Sequence, residues 1–582
     1  MQTVSQDYAE SMKSPLRNRG YIQVSFGIFD QEAQADASID EGDYLWYSND
    51  SRVFTDGNDA VVYCTLEKDF CKVDGSMLYL PKKTSNVQPY NTGLITSDLV
   101  SDENITVEID LSTAMTWYGL TIDFGENYPV SFDIVYGSST LQVRNNTKSV
   151  YVAEQAFTNV SSIQIVFRGM KSQQTRGRIY NIKFGVGYSF GNDDIMDSSL
   201  SRIISPISEF LPQFDFTVTL KNYDRRFDVN NPNSPLNFLS TNYTVTAQYG
   251  YELDDGTVEW LPGQTLYCSD WESDNKTATI RACDILRTLD GQYLGGTWAD
   301  LPGKTFYQLA EEVLSAAGIT NYTLDNALAD YDTQMPIPPM SFKEALQVIA
   351  NGAGCIITLS RDGGIVIKQH PASASSGDFR MEEIDMLSYP KAIRSDPVKT
   401  LIVKAHGLDK NGSEDTILSE EITVSANEEK TYTFSEPIYD WRVEIEGVDM
   451  SSTAIVASGD YYLTVKFASG GTVDVDIYGK RYTQQEYTRT VPVSSRGDIV
   501  VWDNPIVGRF VTSYINWMVD HYSSAMEYDY DTRGNPELDV GDVIFQDDSY
   551  DDDMSVLVTE YRLDFRQAFS GRAVTYKLGG SS

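Results

Sequence analysis

A period-two alternation of apolar and polar residues recurs along most of this chain, and it limits the fold more than any other feature. In the stretch 117–137, WYGLTIDFGENYPVSFDIVYG, the first half places Leu120 and Ile122 on one face of a strand. After a turn, Phe132 and Ile134 repeat the pattern. Short strands of this kind, separated by turns rich in Gly, Asn and Ser, are typical of β-sandwiches, jelly rolls and small barrels. The apolar positions are therefore predicted to form core.

A chain of 582 residues is too long for one hydrophobic core, so several domains are expected. We predict a mainly β, multidomain protein built from a jelly-roll or β-sandwich module, two small β-barrels and a small α+β domain. The predicted segments are an N-terminal segment with a strand that contributes to the barrels (1–41), the jelly roll (42–190), the first barrel (191–303), the α+β domain (304–394), a β module (395–490), and a helix with the second barrel (491–582).

Two helices interrupt the β pattern, and both begin with a capping box. Thr305 is followed three residues later by Gln308, and Ser341 is followed in the same way by Glu344. In this arrangement the hydroxyl and the longer side chain each bind a backbone N–H that the first helical turn leaves without a partner. Each box precedes an amphipathic run and predicts a helix there.

The charge balance is strongly acidic, with a formal net charge of −39. Binding to nucleic acid or to an anionic membrane is disfavoured by that charge. The charge is compatible with a channel whose acidic wall does not bind the DNA that passes through it. A requirement for solubility would by itself explain the same acidic composition. The N-terminus shows no export-signal pattern and no run of 18 apolar residues occurs, so we expect neither an export signal nor a membrane segment.

Residues that commonly perform catalysis are sparse. His370, His406 and His521 fall in different predicted modules, and the sequence has no HExxH, GxSxG or Walker motif. The five cysteines are odd in number and form no CxxC, which argues against a disulfide framework or a structural zinc site. We predict that the protein is not an enzyme and uses no cofactor and no metal.

An acidic run at 547–553, DDSYDDD, is the one segment with the composition of a calcium loop. It lacks the EF-hand spacing and the bidentate Glu at the twelfth position. A solvated loop between two strands is the favoured interpretation, and calcium binding there stays an open alternative.

Aromatic residues near predicted strand ends of the jelly roll are the strongest remaining signal for binding. Exposed rings stack on sugars or pack onto partner proteins, whereas buried rings would close the ends of the sandwich. Both interpretations stay open. The candidate glycan-binding residues, including two polar neighbours in the turn, are Trp46, Tyr47, Trp117, Tyr118, Glu126, Asn127 and Tyr128.

Three stretches resemble known families. YGLTIDFGENYPVSFDIVYG, with AFTNVSSIQIVFRGM and RGRIYNIKFG, resembles galactose-binding, discoidin-like jelly rolls, including the version inserted in tail proteins of phages that infect Gram-positive bacteria. FDFTVTLKNYDRRFDVNNPNSPLNFL looks like the first barrel of phage tail hubs, and NPELDVGDVI looks like the second. The two capped helices fit the α+β piece that such hubs place between their barrels.

The resemblance implies a baseplate or tail-tip hub of a phage or phage-like particle, located in the virion tail. Hubs of this family are usually homotrimers whose paired barrels form a pseudo-hexameric ring on the tail tube. Implied partners are further copies of the chain, a distal-tail or tail-tube protein, a tape-measure protein, other baseplate proteins, and a host cell-wall glycan for the jelly roll. DNA would meet the acidic lumen only in transit. No lytic domain follows the second barrel in this sequence.

Two other functions are weighed against this one. A glycan-active enzyme with a carbohydrate-binding module would need a large catalytic domain, for which the small modules at 192–582 leave no room. An adhesin would be expected to carry an export signal and an anchor.

Overall fold

The computed structural model describes residues 2–39, 105–228, 243–296, 303–333, 335–447, 454–508, 511–523, 526–548 and 551–578, together with short pieces inside 40–104 and 229–242. The protein is mainly β and multidomain, as the alternation predicts. Among the described residues, none of the helices combines the length and the apolar character needed to span a bilayer.

The N-terminal third contains a central sheet of long strands. Its order is β11–β6–β9–β7–β8, and β2 pairs with the far part of β6. The elements are α1 (Gln6–Met12), β1 (Gly20–Phe29), α2 (Gln31–Asp36), β2 (Ser38–Ile39), β3 (Val62–Cys64), β4 (Met77–Tyr79), β5 (Leu94–Leu99), β6 (Ile105–Asp123), β7 (Pro129–Tyr136), β8 (Ser139–Arg144), β9 (Val150–Met170), β10 (Arg176–Ile179), β11 (Asn181–Lys183) and β12 (Gly185–Phe190).

Alternation along β6 and β7 decides which face of this sheet is buried. Leu120 and Ile122 on β6, and Phe132 and Ile134 on β7, are all fully buried, which confirms the predicted core positions. The polar residues between them, Thr121 and Asp133, point to the opposite face because successive side chains of a strand alternate. Thr121 is half-buried there, and Asp133 is buried in ion pairs with Arg144 and Arg168.

A larger sheet begins with strands from the next part of the chain. The apolar side chains Phe214, Phe216, Val218 and Leu220 occupy one face of their strand and are buried, as their spacing predicts. The elements are β13 (Ile195–Ile203), β14 (Gln213–Lys221), β15 (Thr244–Glu252), β16 (Val258–Ser273), β17 (Thr277–Cys283), α3 (Ile285–Thr288) and β18 (Gln292–Tyr293).

The two capped helices follow, with both predicted capping boxes formed. The Thr305 hydroxyl accepts from the Gln308 N–H, the Ser341 hydroxyl accepts from the Glu344 N–H, and both longer side chains bind back to the cap backbone. The elements are β19 (Lys304–Thr305), α4 (Phe306–Ala316), β20 (Tyr322–Leu324), β21 (Asp332–Thr333), β22 (Met340–Ser341), α5 (Phe342–Gly352), β23 (Ile356–Leu359), β24 (Ile365–Lys368), β25 (Arg380–Met381) and β26 (Lys391–Arg394).

Two kinds of unit occupy 398–523. Strands β28 to β33 form two three-stranded sheets around a core of their own. Strand β27 pairs antiparallel with β34 and parallel with β35, and α6 packs on the inner face of that sheet. The elements are β27 (Val398–Asp409), β28 (Glu414–Val424), β29 (Glu428–Thr433), β30 (Ile438–Glu446), β31 (Ala454–Ser458), β32 (Tyr462–Phe467), β33 (Gly471–Arg481), β34 (Thr483–Pro492), β35 (Asp498–Asp503) and α6 (Val511–Ser523).

The C-terminal strands complete the large sheet. They are β36 (Met526–Thr532), β37 (Val543–Asp548), β38 (Asp551–Phe565) and β39 (Phe569–Lys577). Among the described residues, the sheet has 13 strands, in the order β12–β1–β15–β16–β17–β14–β13–β38–β39–β36–β26, with β37 on β38 and β25 on β37. Strand β13 pairs antiparallel with β38, so that Leu200 lies opposite Leu563. The strands predicted as two barrels are therefore hydrogen-bonded into one sheet, and the N-terminal strand β1 joins it through β15.

Candidate functional site

A shallow groove lies at one end of the β6–β7 hairpin, where the turn 124–128 meets the loop between β8 and β9. Its volume is about 640 Å³. The lining residues are Glu126, Tyr128, Thr147, Lys148, Ser149, Val150 and Lys171. The groove thus combines one aromatic ring, one carboxylate, two ammonium groups and two hydroxyls, the mixture of an apolar face and hydrogen-bonding groups that sugars require.

The loop on one side of the groove is held in shape by a buried amide. Asn146 donates from Nδ2 to the carbonyls of Pro129, at 2.8 Å, and Lys148, at 2.9 Å. Its Oδ1 accepts from the Lys148 N–H at 3.1 Å. The preceding Asn145 has a φ of 58°, in the left-handed region that Asn tolerates better than most residues. These bonds fix the backbone that presents Thr147 and Lys148.

On the other side of the groove, Lys171 interacts with the hairpin turn in three ways. Its backbone N–H donates to the Tyr128 carbonyl at 3.1 Å. Its ammonium lies 4.7 Å from the centre of the Tyr128 ring, and it donates to the Glu126 carbonyl at 3.4 Å. The ammonium lies over one face of Tyr128 and the ring also packs against the module core, so a ligand would contact the part of the ring that remains exposed.

Trp117 lies inside the module core rather than on its rim. Its side chain is 2% exposed. The indole stacks on Phe157, with ring centres 5.3 Å apart and planes 6° apart, and meets the edge of Phe184 at 5.1 Å. Strand β6 continues from Ile105 through Trp117 to Asp123, so this residue is not at a strand end. No ring face is left for a sugar.

The side chain of Tyr118 lies on the face of β6 opposite to that of Trp117 and is also buried. It packs with Val186 and Tyr188 in the core of the 13-stranded sheet, so it belongs to the contact between the two β units. Burial raises the pKa of Tyr118 above its usual value. Trp46 and Tyr47 lie outside the described residues. Of the other predicted candidates, Glu126 and Tyr128 meet in the groove, while Asn127 stands in the same turn without lining it.

The residues that sequence reasoning missed are the polar members of the groove. Lys148 and Lys171 are far apart in sequence and are brought together by the pairing of β7 with β8 and β9. The Asn-Asn-Thr-Lys loop, residues 145–148, could have been recognised as a turn from the sequence, since adjacent Asn residues favour left-handed backbone.

A second polar cluster lies inside the large sheet, close to the β13–β38 junction. Arg202 on β13 donates from Nη1 to Asp539 Oδ1 at 2.8 Å. Gln264 and Arg361 both donate to the other carboxylate oxygen, at 3.0 and 3.2 Å. The Arg202 guanidinium also lies 5.0 Å from the centre of the Tyr561 ring on β38. One carboxylate therefore joins three separate parts of the chain.

Arg361 extends this cluster from the β23–β24 turn. Its Nη1 donates to the Pro262 carbonyl at 2.6 Å, and its Nη2 donates to the Pro536 carbonyl at 2.7 Å. Burial lowers the pKa of Arg361, and Asp539 acts in the opposite direction. The α+β unit is thereby fixed to both halves of the large sheet.

His521 and Cys268 lie in packed surroundings, the histidine half-buried and the cysteine buried. Burial lowers the pKa of His521 to about 4, and its ring stacks on Tyr576 with planes 18° apart. His370 lies near enough to lower that pKa further, and His406 Nε2 lies 2.7 Å from Asp503 Oδ1. Burial raises the pKa of Cys268 to about 11, which disfavours the reactive thiolate.

Two carboxylates of the acidic run are engaged by one arginine. Arg380 contacts Asp547 at 3.2 Å and Asp553 at 2.5 Å. Residues 549 and 550 lie outside the described part of the chain. Within that part, no group of three or more His, Cys, Asp or Glu side chains is arranged to hold a metal ion.

Comparison with known proteins gives matches among solved structures alone. No protein-family model and no curated protein matches the sequence. A 43 kDa tail protein of prophage MuSo2 from Shewanella oneidensis is 11% identical, with a TM-score of 0.37, and the match covers 76% of this chain and 98% of that one. A tail protein from Neisseria meningitidis MC58 is 10% identical, with a TM-score of 0.37 and coverage of 68% and 94%. A prophage tail protein from Listeria monocytogenes EGD-e is 10% identical, with a TM-score of 0.34 and coverage of 68% and 92%.

Proposed function

We propose that this chain is a structural hub at the tail tip or baseplate of a phage or phage-like particle. The observation that carries the proposal is the pairing of β13 with β38, which unites an N-terminal and a C-terminal set of strands in one 13-stranded sheet. A continuous sheet transmits load through hydrogen bonds along its whole width. This architecture suits a component that is held between a tube and a host surface.

The composition of the chain and its buried contacts support a structural role rather than a catalytic one. The cluster around Asp539 fixes the α+β unit to both halves of the sheet, which favours rigidity. His521 is half-buried and Cys268 is buried, and burial shifts their pKa values in the directions that oppose acid–base and thiolate chemistry. The net charge of −39 would repel DNA from the wall of a lumen and let it pass.

The proposed partners follow from that role. Copies of the chain would form a homotrimeric ring, in which paired β units match the sixfold symmetry of a tail tube. A distal-tail or tail-tube protein would bind one face of the ring, and the tape-measure protein and other baseplate proteins would contact it as well. DNA would be present only in transit.

Electron microscopy of the purified chain, alone and mixed with the tail-tube protein of the same particle, tests the proposal. A closed ring that caps or extends the tube is the expected result. Monomers that form no ring, even beside the tube protein, would count decisively against a hub. Release of reducing sugar from cell-wall preparations would instead support the alternative that the chain is a glycan-active enzyme.

A second candidate function is carbohydrate contact through the groove of the jelly-roll module. The observation that favours it is the groove itself, where Tyr128 and Glu126 stand beside Lys148 and the hydroxyls of Thr147 and Ser149. Host cell-wall glycans are the proposed ligands, and the contact would serve attachment of the particle to its host.

A glycan array with three forms of the chain tests this contact. Tyr128→Ala should lose binding that the wild type shows. Tyr223→Ala is the matched control, because Tyr223 is 67% exposed and lies outside the groove. Equal binding by all three forms, or none by the wild type, would remove the groove from consideration.

A further inference from the structure

The segment 384–394 presents an unusual amount of apolar surface to solvent. It leads into and includes β26, and we call it the β26 edge. Leu387 is 63% exposed and Tyr389 is 72% exposed, and Ile384 and Ile393 are exposed as well. Single exposed apolar residues are ordinary, whereas several within eleven consecutive residues mark a surface that another molecule covers.

The backbone of the β26 edge is open on one side. Strand β26 pairs antiparallel with β36, from Lys391 opposite Asp529 to Arg394 opposite Met526. In the part of the chain that the structure describes, its other side has no strand partner. An unpaired strand edge at the end of a large sheet is a template for a strand from another molecule.

The charges of the β26 edge indicate what kind of strand it accepts. Lys391 and Arg394 are both exposed, on a chain whose net charge is −39. Arg394 forms no ion pair with any described residue. If two β26 strands paired antiparallel about a twofold axis, Lys391 would face Arg394 of the other copy, and like charges directly opposite each other are destabilising. The fitting partner is an edge strand with acidic residues.

Strand β35 of the same chain has the complementary properties. It pairs with β27 alone among the described strands. It begins at Asp498, which is exposed and has no ion pair within the described residues. Ile499 and Val501 on its outer face are 63% and 54% exposed. The exposed carboxylate of Asp498 and the exposed β-branched residues match a basic strand that carries Ile393.

We propose that β26 of one copy pairs edge to edge and antiparallel with β35 of a second copy, with Arg394 opposite Asp498 and with Ile393 beside Ile499 and Val501. The occupant of the edge is thus another copy of this chain. The inference deepens the proposed function, on which it rests for the association of copies, by assigning the surface through which they meet.

Sedimentation equilibrium of the full chain tests the contact by charge exchange. Arg394→Glu alone and Asp498→Arg alone should each weaken association about tenfold, and the two together should restore it to within about threefold of wild type. Arg566→Glu is the matched control, because Arg566 is an exposed arginine in the turn between β38 and β39, and it should associate like the wild type. Far-ultraviolet circular dichroism of each variant checks that the fold is intact.

Three outcomes would overturn the contact: single variants that associate like wild type, a double variant that stays as weak as the singles, or a wild-type chain that remains monomeric. The first two leave the hub proposal standing, because they concern which surface is used and not whether a ring forms. Binding of the tail-tube protein, measured separately on the same variants, distinguishes failure of this contact from failure of the proposed function.

Discussion

Arg202 on β13 and Asp539 in the segment before β37 form an ion pair, with Nη1 and Oδ1 2.8 Å apart, beside the junction where the two halves of the large sheet meet. The Arg202 side chain is 1% exposed and that of Asp539 is 15% exposed. Since Arg361 also contacts Asp539, a single carboxylate balances two buried guanidinium groups. The halves of the sheet are therefore joined by side-chain electrostatics as well as by backbone hydrogen bonds.

Asp539→Ala should strongly destabilise the protein. The substitution leaves Arg202 and Arg361 buried without their carboxylate, and breaking one side of a buried pair costs on the order of 3–5 kcal/mol. Chemical denaturation followed by fluorescence measures the change in unfolding free energy.

The matched control for this prediction is Asp270→Ala. Asp270 pairs with Arg281 at 2.9 Å, but the two side chains are 64% and 39% exposed, so the loss should stay below about 1 kcal/mol. Equal effects of the two substitutions would show that the cluster at the junction contributes no more than a surface pair.

Trp117→Ala should act on stability and not directly on sugar contact. Removing a buried indole that stacks on Phe157 leaves a cavity, and large-to-small changes of this kind cost about 3–5 kcal/mol. Thermal unfolding measures the loss. If the variant kept wild-type stability but lost glycan binding, the placement of Trp117 in the core would be contradicted.

His521 should make stability depend on pH in the acidic range. Burial lowers its pKa to about 4 from the usual 6.5, so the unfolded chain binds more protons between those values. The contribution is fully present above about pH 6.5 and is lost as the pH falls toward 4. His521→Gln should therefore show a flatter dependence of unfolding free energy on pH than wild type. Parallel pH profiles would contradict the burial of the ring.

Ser341→Ala should remove the capping box of α5. The hydroxyl accepts from the Glu344 N–H, and loss of such a cap costs about 1 kcal/mol. The change in denaturation midpoint measures it. Ser315→Ala in α4 is the control, since it places alanine inside a helix rather than at its cap, and should be neutral or slightly stabilising. If Ser315→Ala lowered the denaturation midpoint as much as Ser341→Ala, the capping role of Ser341 would be contradicted.

Local patterns in the sequence predicted local structure well. The alternation at Leu120 and Ile122 identified core positions because a strand face depends on period alone. The capping boxes at Thr305 and Ser341 identified helix starts because the motif bonds within four residues. The mainly β, multidomain class followed from the same signals.

Long-range pairing could not be predicted from those patterns. Nothing in the alternation of β13 specifies β38, about 360 residues away, as its neighbour. The parallel pairing of β27 with β35 cannot be predicted from the alternation either. Trp117 was misplaced for a related reason. Strand β6 runs without interruption past that residue, so a ring expected at a strand end is in the middle of a 19-residue strand and faces the core.

Cryo-electron microscopy of intact particles that contain this chain tests the central claim most directly. We predict density for the 13-stranded sheet at the tip of the tail, repeated around the tail axis and continuous with the tube. Density for the chain elsewhere on the particle, or particles whose tail tip forms without it, would contradict its assignment as a hub.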